Sequence, residues 1–219
     1  MTRCSFSLPV LLVMLLLAGC STRPKLPDFT ASGYLADRGA LRIWRKESPP
    51  HASHLMTVYT PFSGTSFEKT DYQWQNDKLV SVERHIIGEH PESVMMRFQD
   101  DKLSFMQRQL DGHREALSSD AVALYQFDAG RMLRISDDLL AGHVLLKQGY
   151  WSSDGTVQLC QGGKTRPDFD RFSMRYITQH QQVSGKPVSL SWLEAPRGTQ
   201  LLLVSAEDLC ASEPQSADF

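Results

Sequence analysis

Apolar and polar side chains alternate along most of the chain between residues 55 and 117. The apolar positions of this pattern are Met56 and Val58, Tyr72 and Trp74, Val80 and Val82, Val94 and Met96, and Leu103 and Phe105. Successive side chains of a strand point to opposite faces of its sheet, so a period of two predicts half-buried strands.

Short polar segments separate these strands. Asn76-Asp77-Lys78 and Asp100-Asp101-Lys102 each lie between two apolar runs, and Asp111-Gly112 follows the last run. Asn and Asp tolerate the unusual dihedrals of tight turns, so the pattern predicts hairpins. Residues 74–84 also align without a gap to residues 98–108, at an offset of 24. The repeat indicates either a duplicated hairpin or two hairpins with similar turns.

The period changes after Leu117. Ser118-Ser119-Asp120 is a typical helix N-cap cluster, and Gly142 fits the end of a helix. The apolar residues between them fall near one helical face, namely Val122, Tyr125, Ala129, Met132, Leu133 and Leu140. The spacing predicts one long helix. Two strands, at 122–127 and 132–135, are the alternative.

The remaining apolar runs are short. They predict strands at 40–45, 144–151, 156–160 and 201–204, and alternation predicts two more at 172–176 and 188–192. The fold class is therefore mainly β (α+β). We expect an antiparallel meander sheet or a partly closed barrel, with one packed helix.

The first twenty residues have the order of a secretory leader. Arg3 precedes the apolar run 8–17, which is shorter than the roughly 20 residues that a spanning helix needs. The sequence 17–20, Leu-Ala-Gly-Cys, resembles the bacterial lipoprotein signal, which implies cleavage before Cys20 and acylation of its thiol. The residue after the cysteine is Ser21 and not Asp. In the lipoprotein resemblance this implies attachment to the outer membrane, with the domain facing the periplasm. An ordinary secretory signal and an uncleaved anchor are the alternatives.

This pattern predicts four regions. Residues 1–19 are a signal peptide, and residues 20–33 are a lipidated N-terminus and tether. Residues 34–210 form a single globular β-rich domain, and residues 211–219 form a flexible tail.

Four cysteines occur in the chain. Cys4 leaves with the signal peptide and Cys20 carries the lipid, so Cys160 and Cys210 remain. Two thiols in an oxidising compartment are expected to pair, and the bond would close a loop of about 50 residues. Two separately buried thiols are the alternative. Zinc-binding Cys-x-x-Cys spacing is absent.

The composition excludes several functions. Lys and Arg number 23 against 25 Asp and Glu, a balance without the excess of basic residues that nucleic-acid binding needs. The seven histidines form no His-Glu-x-x-His motif, and no Gly-x-Ser-x-Gly motif occurs. We therefore assign no catalytic residue, no metal site and no cofactor. Aromatic and Met side chains at 74, 95, 96, 98, 105 and 106 would line either a ligand cavity or the core.

Two further segments carry a family resemblance. With the leader, residues 26–34 (LPDFTASGY) and 148–151 (QGYW) make the whole chain similar to the YjaH-like family of uncharacterised enterobacterial lipoproteins. The resemblance implies an envelope location and one domain.

Two functions remain from the sequence. The first is a non-enzymatic lipoprotein, anchored in the membrane by its lipid, that binds an envelope protein or an apolar ligand. The second is a lipid-anchored periplasmic hydrolase whose catalytic residues are separated in sequence.

Overall fold

The computed structural model describes residues 26–219, so the predicted signal peptide 1–19 and Cys20 lie outside the described part. Eight strands form one sheet in which each strand pairs antiparallel with the next along the chain. They are β1 (Phe29–Ala36), β2 (Gly39–Ser48), β3 (Ala52–Pro61), β4 (Phe67–Gln75), β5 (Lys78–Ile87), β6 (Glu92–Gln99), β7 (Lys102–Leu110) and β8 (His113–Glu115). The sheet is open, with β1 and β8 at its edges. The predicted meander is confirmed, and the closed alternative is wrong.

The two predicted hairpins share their geometry as well as their sequence. Both turns place two consecutive residues at positive φ, namely Asn76 and Asp77, and Asp100 and Asp101. Each hairpin also shifts its register close to its turn, beside Trp74 in one and beside Phe98 in the other. These positions are equivalent at the offset of 24, so the sequence repeat corresponds to a repeated hairpin.

Ion pairs connect the two hairpins. The Glu92 carboxylate accepts hydrogen bonds from Arg84 Nη1 at 2.7 Å and from Arg108 Nε at 2.6 Å. The other terminal nitrogen of Arg84 donates to Glu68 at 2.7 Å. Burial raises the pKa of Glu92, but the Arg108 hydrogen bond and the charges of both arginines outweigh it, so this pKa lies below its usual value. The charged form of Glu92 therefore holds β6 to both neighbouring strands.

The predicted long helix is α1 (Ser119–Ala141), and it packs against this sheet. The Ser118 hydroxyl accepts a hydrogen bond from the Ala121 N–H, and Gly142 is the C-cap. Val122, Ala129 and Met132 are buried in the core that the helix shares with the sheet. The helix is confirmed, and the two-strand alternative is wrong.

A second sheet of five strands has the order β11-β10-β9-β12-β13. Its strands are β9 (Leu145–Trp151), β10 (Val157–Leu159), β11 (Lys164–Thr165), β12 (Ser189–Ala195) and β13 (Gly198–Ser205). The strand predicted at 172–176 is wrong, because these residues belong to a second helix, α2 (Arg171–Ser184). Asp170 caps its start, and Gly185 ends it in the left-handed region.

The two sheets pack against each other through β1, which contacts β9 and β12, and through the side chains of β2. Trp44 of β2 is buried together with Leu146, Leu193 and Leu202 of the second sheet. Within residues 26–219, no helix is long and apolar enough to cross a membrane.

Both ends of the predicted domain need correction. The tether predicted over 20–33 ends earlier, because β1 already begins at Phe29. The tail predicted over 211–219 packs on the domain. Pro214 is buried, and the Phe219 ring lies 5.3 Å from Phe29 and 4.6 Å from His54.

Candidate functional site

A cleft of about 650 Å³ lies between the first sheet and the second. Its floor is the face of β2 and β3 that points away from α1. Arg42 and Trp44 lie there, opposite Val58 and Met56 in the strand register, and Thr60 extends the row. This volume is in the range of small-molecule sites, about 300–1,000 Å³.

One wall of the cleft is the segment that follows β13. Leu209 in this segment is buried, and its N–H donates to the Ser189 hydroxyl of β12 at 3.2 Å. The next residue, Cys210, lies at disulfide distance from Cys160, with Cα atoms 5.0 Å apart. The predicted cysteine pair therefore joins the end of β10 to the wall of the cleft.

Arg42 is the cationic side chain at the bottom of the cleft, and only 5% of it is exposed. Nη1 donates to the Gln148 side-chain oxygen at 2.9 Å, and Nη2 donates to the Thr60 hydroxyl at 3.2 Å. The guanidinium carbon lies 5.7 Å from the centre of the Trp44 ring. Burial lowers the pKa of Arg42 to about 10, and the Glu213 charge opposes part of this effect. Arg42 thus remains a cation at neutral pH and hydrogen-bonds to neutral acceptors.

Glu213 faces Arg42 from the wall segment. Burial raises the pKa of Glu213, although Gln148 and the Arg42 charge act in the opposite direction. No carboxylate of residues 26–219 lies within 4.0 Å of the guanidinium. The positive charge of Arg42 is therefore balanced by the more distant Glu213 charge and not by a direct ion pair.

Buried polar atoms without a partner concentrate at this place. In the described part of the chain they are Arg42 Nε, Trp44 Nε1, Gln148 Nε2, Ser191 Oγ and Glu213 Oε2. Gln148 hydrogen-bonds Arg42 and is paired with Ser191 across β9 and β12, so these three residues are neighbours. The Trp44 ring lies beside the Arg42 guanidinium, and the Glu213 charge acts on that guanidinium. Native proteins leave few such atoms unpaired, so a cluster of them needs a partner such as water, an ion or a ligand.

Three of the histidines each lie beside a single carboxylate. His54 Nε2 lies 3.0 Å from Asp71, and His85 Nε2 lies 3.0 Å from Glu83. His90 lies 3.6 Å from the Asp111 carboxylate. No group of three His, Cys, Asp or Glu side chains within residues 26–219 is placed to hold a metal ion.

The aromatic and Met residues proposed as a cavity lining have another role. Trp74, Met96 and Phe98 are buried in the core beneath α1. They do not line the cleft, so core packing is the correct interpretation for these three residues.

Sequence reasoning did not identify Arg42, Trp44, Gln148 or Glu213. The sequence predicts the strand at 40–45, with Leu41 and Ile43 on one face. Ala40 and Trp44 make the opposite face apolar too, and both are buried. Arg42 is thus a charged residue in a strand that is apolar on both faces. This unusual position is the signal by which the sequence could have identified it.

The comparisons with known proteins identify the family. The family model described as "Protein of unknown function (DUF1481)" matches residues 31–215. "Uncharacterized protein YjaH" of Escherichia coli (strain K12) is 41% identical over 207 residues, covering 94% of this chain and 89% of the relative. No solved structure gives a significant match. The chain belongs to the DUF1481 family, and its resemblance to YjaH-like proteins is confirmed.

Proposed function

We propose that the protein is a lipid-anchored lipoprotein of the outer membrane whose periplasmic domain binds a small ligand in the cleft between its sheets. The cluster of unpaired polar groups around Arg42 carries the proposal, because three of its members, Arg42, Trp44 and Glu213, line this cleft. A buried cation and unpaired donors have a cost in stability unless another molecule satisfies them, so their position in a cleft favours a binding role.

The leader and Cys20 support the anchor. Between Cys20 and the start of β1 at Phe29 lie eight residues. Fully extended, such a segment spans at most about 26–29 Å. A lipid on Cys20 would therefore hold the domain close to the membrane surface.

Radiolabelled palmitate is expected to enter the wild-type protein but not the Cys20→Ala variant, because the thiol of Cys20 is the acylated group. Labelled cells are lysed, and the immunoprecipitated protein is examined by autoradiography. Cys4→Ala is the matched control, since Cys4 lies in the leader, and it should keep the label. Equal labelling of Cys20→Ala and the wild type would contradict the anchor.

The hydrolase alternative has less support. Asp71 lines the cleft, and its carboxylate lies within hydrogen-bond distance of His54. An aspartate beside a histidine is part of a catalytic triad. The other contact described for His54 is the Phe219 ring, and no serine, threonine or cysteine hydrogen-bonds it within residues 26–219. A nucleophile beside the histidine is the missing element, so binding is the preferred function.

Filling the cleft is expected to abolish ligand binding. Val58→Trp places a large ring on the floor, whereas Leu124→Trp adds the same ring on the exposed side of α1, where Leu124 is 66% exposed. Thermal unfolding of the purified mature protein is measured with and without small-molecule fractions of the cell envelope. A ligand at 100 times its Kd adds about 2.7 kcal/mol, which raises Tm by roughly 5–10 °C.

The wild type and Leu124→Trp should show this rise in Tm, and Val58→Trp should not. Each variant is compared with its own ligand-free Tm, which separates binding from any loss of stability. A rise of equal size in Val58→Trp, or no rise in the wild type with any fraction, would overturn the proposed function.

A further inference from the structure

The polar groups beneath the cleft have an excess of donors. Arg42 Nε and Trp44 Nε1 each carry a hydrogen that no described acceptor receives. The acceptors in this cluster are the Glu213 carboxylate, whose pKa is raised by burial and lowered by a hydrogen bond from the Gln148 side chain, and the Ser191 hydroxyl, which can donate or accept. The group that completes this site must therefore bring acceptor oxygens.

The charges next to Arg42, at the bottom of the cleft, favour an anion with a single charge. Arg42 supplies one positive charge, and its direct partners, Gln148 and Thr60, are neutral. Glu213, on the opposite wall, would repel a second negative charge on the ligand. A doubly charged group thus has weaker net attraction to this site than a singly charged one.

The space at the site favours a small head group. Arg42 lines the cleft but is only 5% exposed, so little of its side chain is open to a ligand. A carboxylate is flat and matches the planar donors of a guanidinium. Beyond this point the lining combines apolar side chains, including Met56, Val58 and Leu203, with charged ones such as Lys69 and Asp71.

We propose that the cleft takes an amphipathic monocarboxylate, with its carboxylate on Arg42 and its apolar body along Met56, Val58 and Leu203. This inference rests on the proposed function and names the class of its ligand. The carboxylate would accept hydrogen bonds from the guanidinium, and the apolar body would bury surface that the cleft leaves exposed to water.

The test uses four probes that share a six-carbon chain and differ in the head group: hexanoate, hexyl phosphate, hexylamine and hexanol. The mature lipidated protein in phospholipid nanodiscs is titrated with each probe by calorimetry, and protein-free nanodiscs serve as the blank. We expect hexanoate to bind at least tenfold more tightly than hexanol and more tightly than the other two probes.

Two variants connect this preference to the site. Arg42→Gln should reduce hexanoate affinity at least tenfold and leave hexanol affinity unchanged. Glu213→Gln keeps the shape of the side chain and removes its charge, so it should tighten hexanoate binding several-fold, and it remains informative if Arg42→Gln does not fold. Arg45→Gln is the matched control: Arg45 lies on the same strand, on the opposite face, and pairs with Asp137. It should bind hexanoate as the wild type does.

The contrary outcomes are distinct. Equal affinity for hexanoate and hexanol would overturn the carboxylate assignment while leaving an apolar ligand, and with it the proposed function. Preference for hexyl phosphate or hexylamine would also overturn it, in favour of a phosphate or a cation. If no probe binds while envelope fractions still raise Tm, the ligand class is wrong and the binding function stands. Hexanoate binding that Glu213→Gln does not tighten would contradict the placement of the carboxylate opposite Glu213.

Discussion

Replacing both Cys160 and Cys210 by serine is expected to lower the free energy of unfolding by about 4 kcal/mol. The two cysteines are separated by 50 positions, so their bond removes much conformational freedom from the unfolded chain. Urea denaturation followed by tryptophan fluorescence measures the difference. Wild-type protein treated with reductant is the control, and it should match the double variant.

The same bond has a local effect in the folded protein. It holds the segment after β13, and this segment carries Glu213 and the buried Leu209. Amide exchange of Leu209, whose N–H donates to Ser189, should accelerate in the double variant. In the single variant Cys160→Ser, the thiol of Cys210 should become alkylatable. Full alkylation of both cysteines in the native wild type without reductant would show that the bond does not form.

The hairpins were predictable because their signals are local. Asn76-Asp77 and Asp100-Asp101 adopt the positive φ that short polar residues tolerate, and the flanking alternation sets the strands. The repeat at an offset of 24 extends to Arg84 and Arg108, whose pairing with Glu92 joins the two hairpins. That pairing depends on strand order, which neither hairpin specifies by itself.

Helix α2 was not predicted because its apolar pattern is weak. Phe172, Met174 and Tyr176 alternate as in a strand, yet Phe172 is 75% exposed. Within the helix, Ile177 is the buried residue. The caps, Asp170 and Gly185, are residue types typical of helix ends, but the period-two alternation between them favours a strand. Packing of Ile177 against the second sheet therefore stabilises the helix, although the local sequence pattern favours a strand.

The candidate site was beyond sequence reasoning for a different reason. Arg42 and Gln148 are 106 positions apart and meet only because the second sheet packs on β2. Glu213 lies in a segment whose polar composition predicted a flexible tail. Its position depends on Cys210 and Leu209, which attach that segment to the second sheet.

The second core, beneath α2, is expected to depend on one residue. Trp192 is 0% exposed, and it packs among Trp151, Phe169, Ile177 and Leu190. Trp192→Ala should lower the free energy of unfolding by about 3–5 kcal/mol, because it removes buried surface and leaves a cavity. Since this core is what holds α2 through Ile177, the helical circular dichroism signal should also decrease.

Phe172→Ala is the matched control for this prediction, because it also removes an aromatic ring, but from the exposed side of α2. Its effect should stay within about 0.5 kcal/mol. Urea denaturation of both variants measures the contrast. If Trp192→Ala loses less than about 1 kcal/mol, far below the usual cost of such a cavity, α2 is held by something other than this core. Equal losses in both variants would mean that the ring of Phe172 is buried in solution. A large loss confined to Trp192→Ala would establish that the second sheet and α2 are stabilised together.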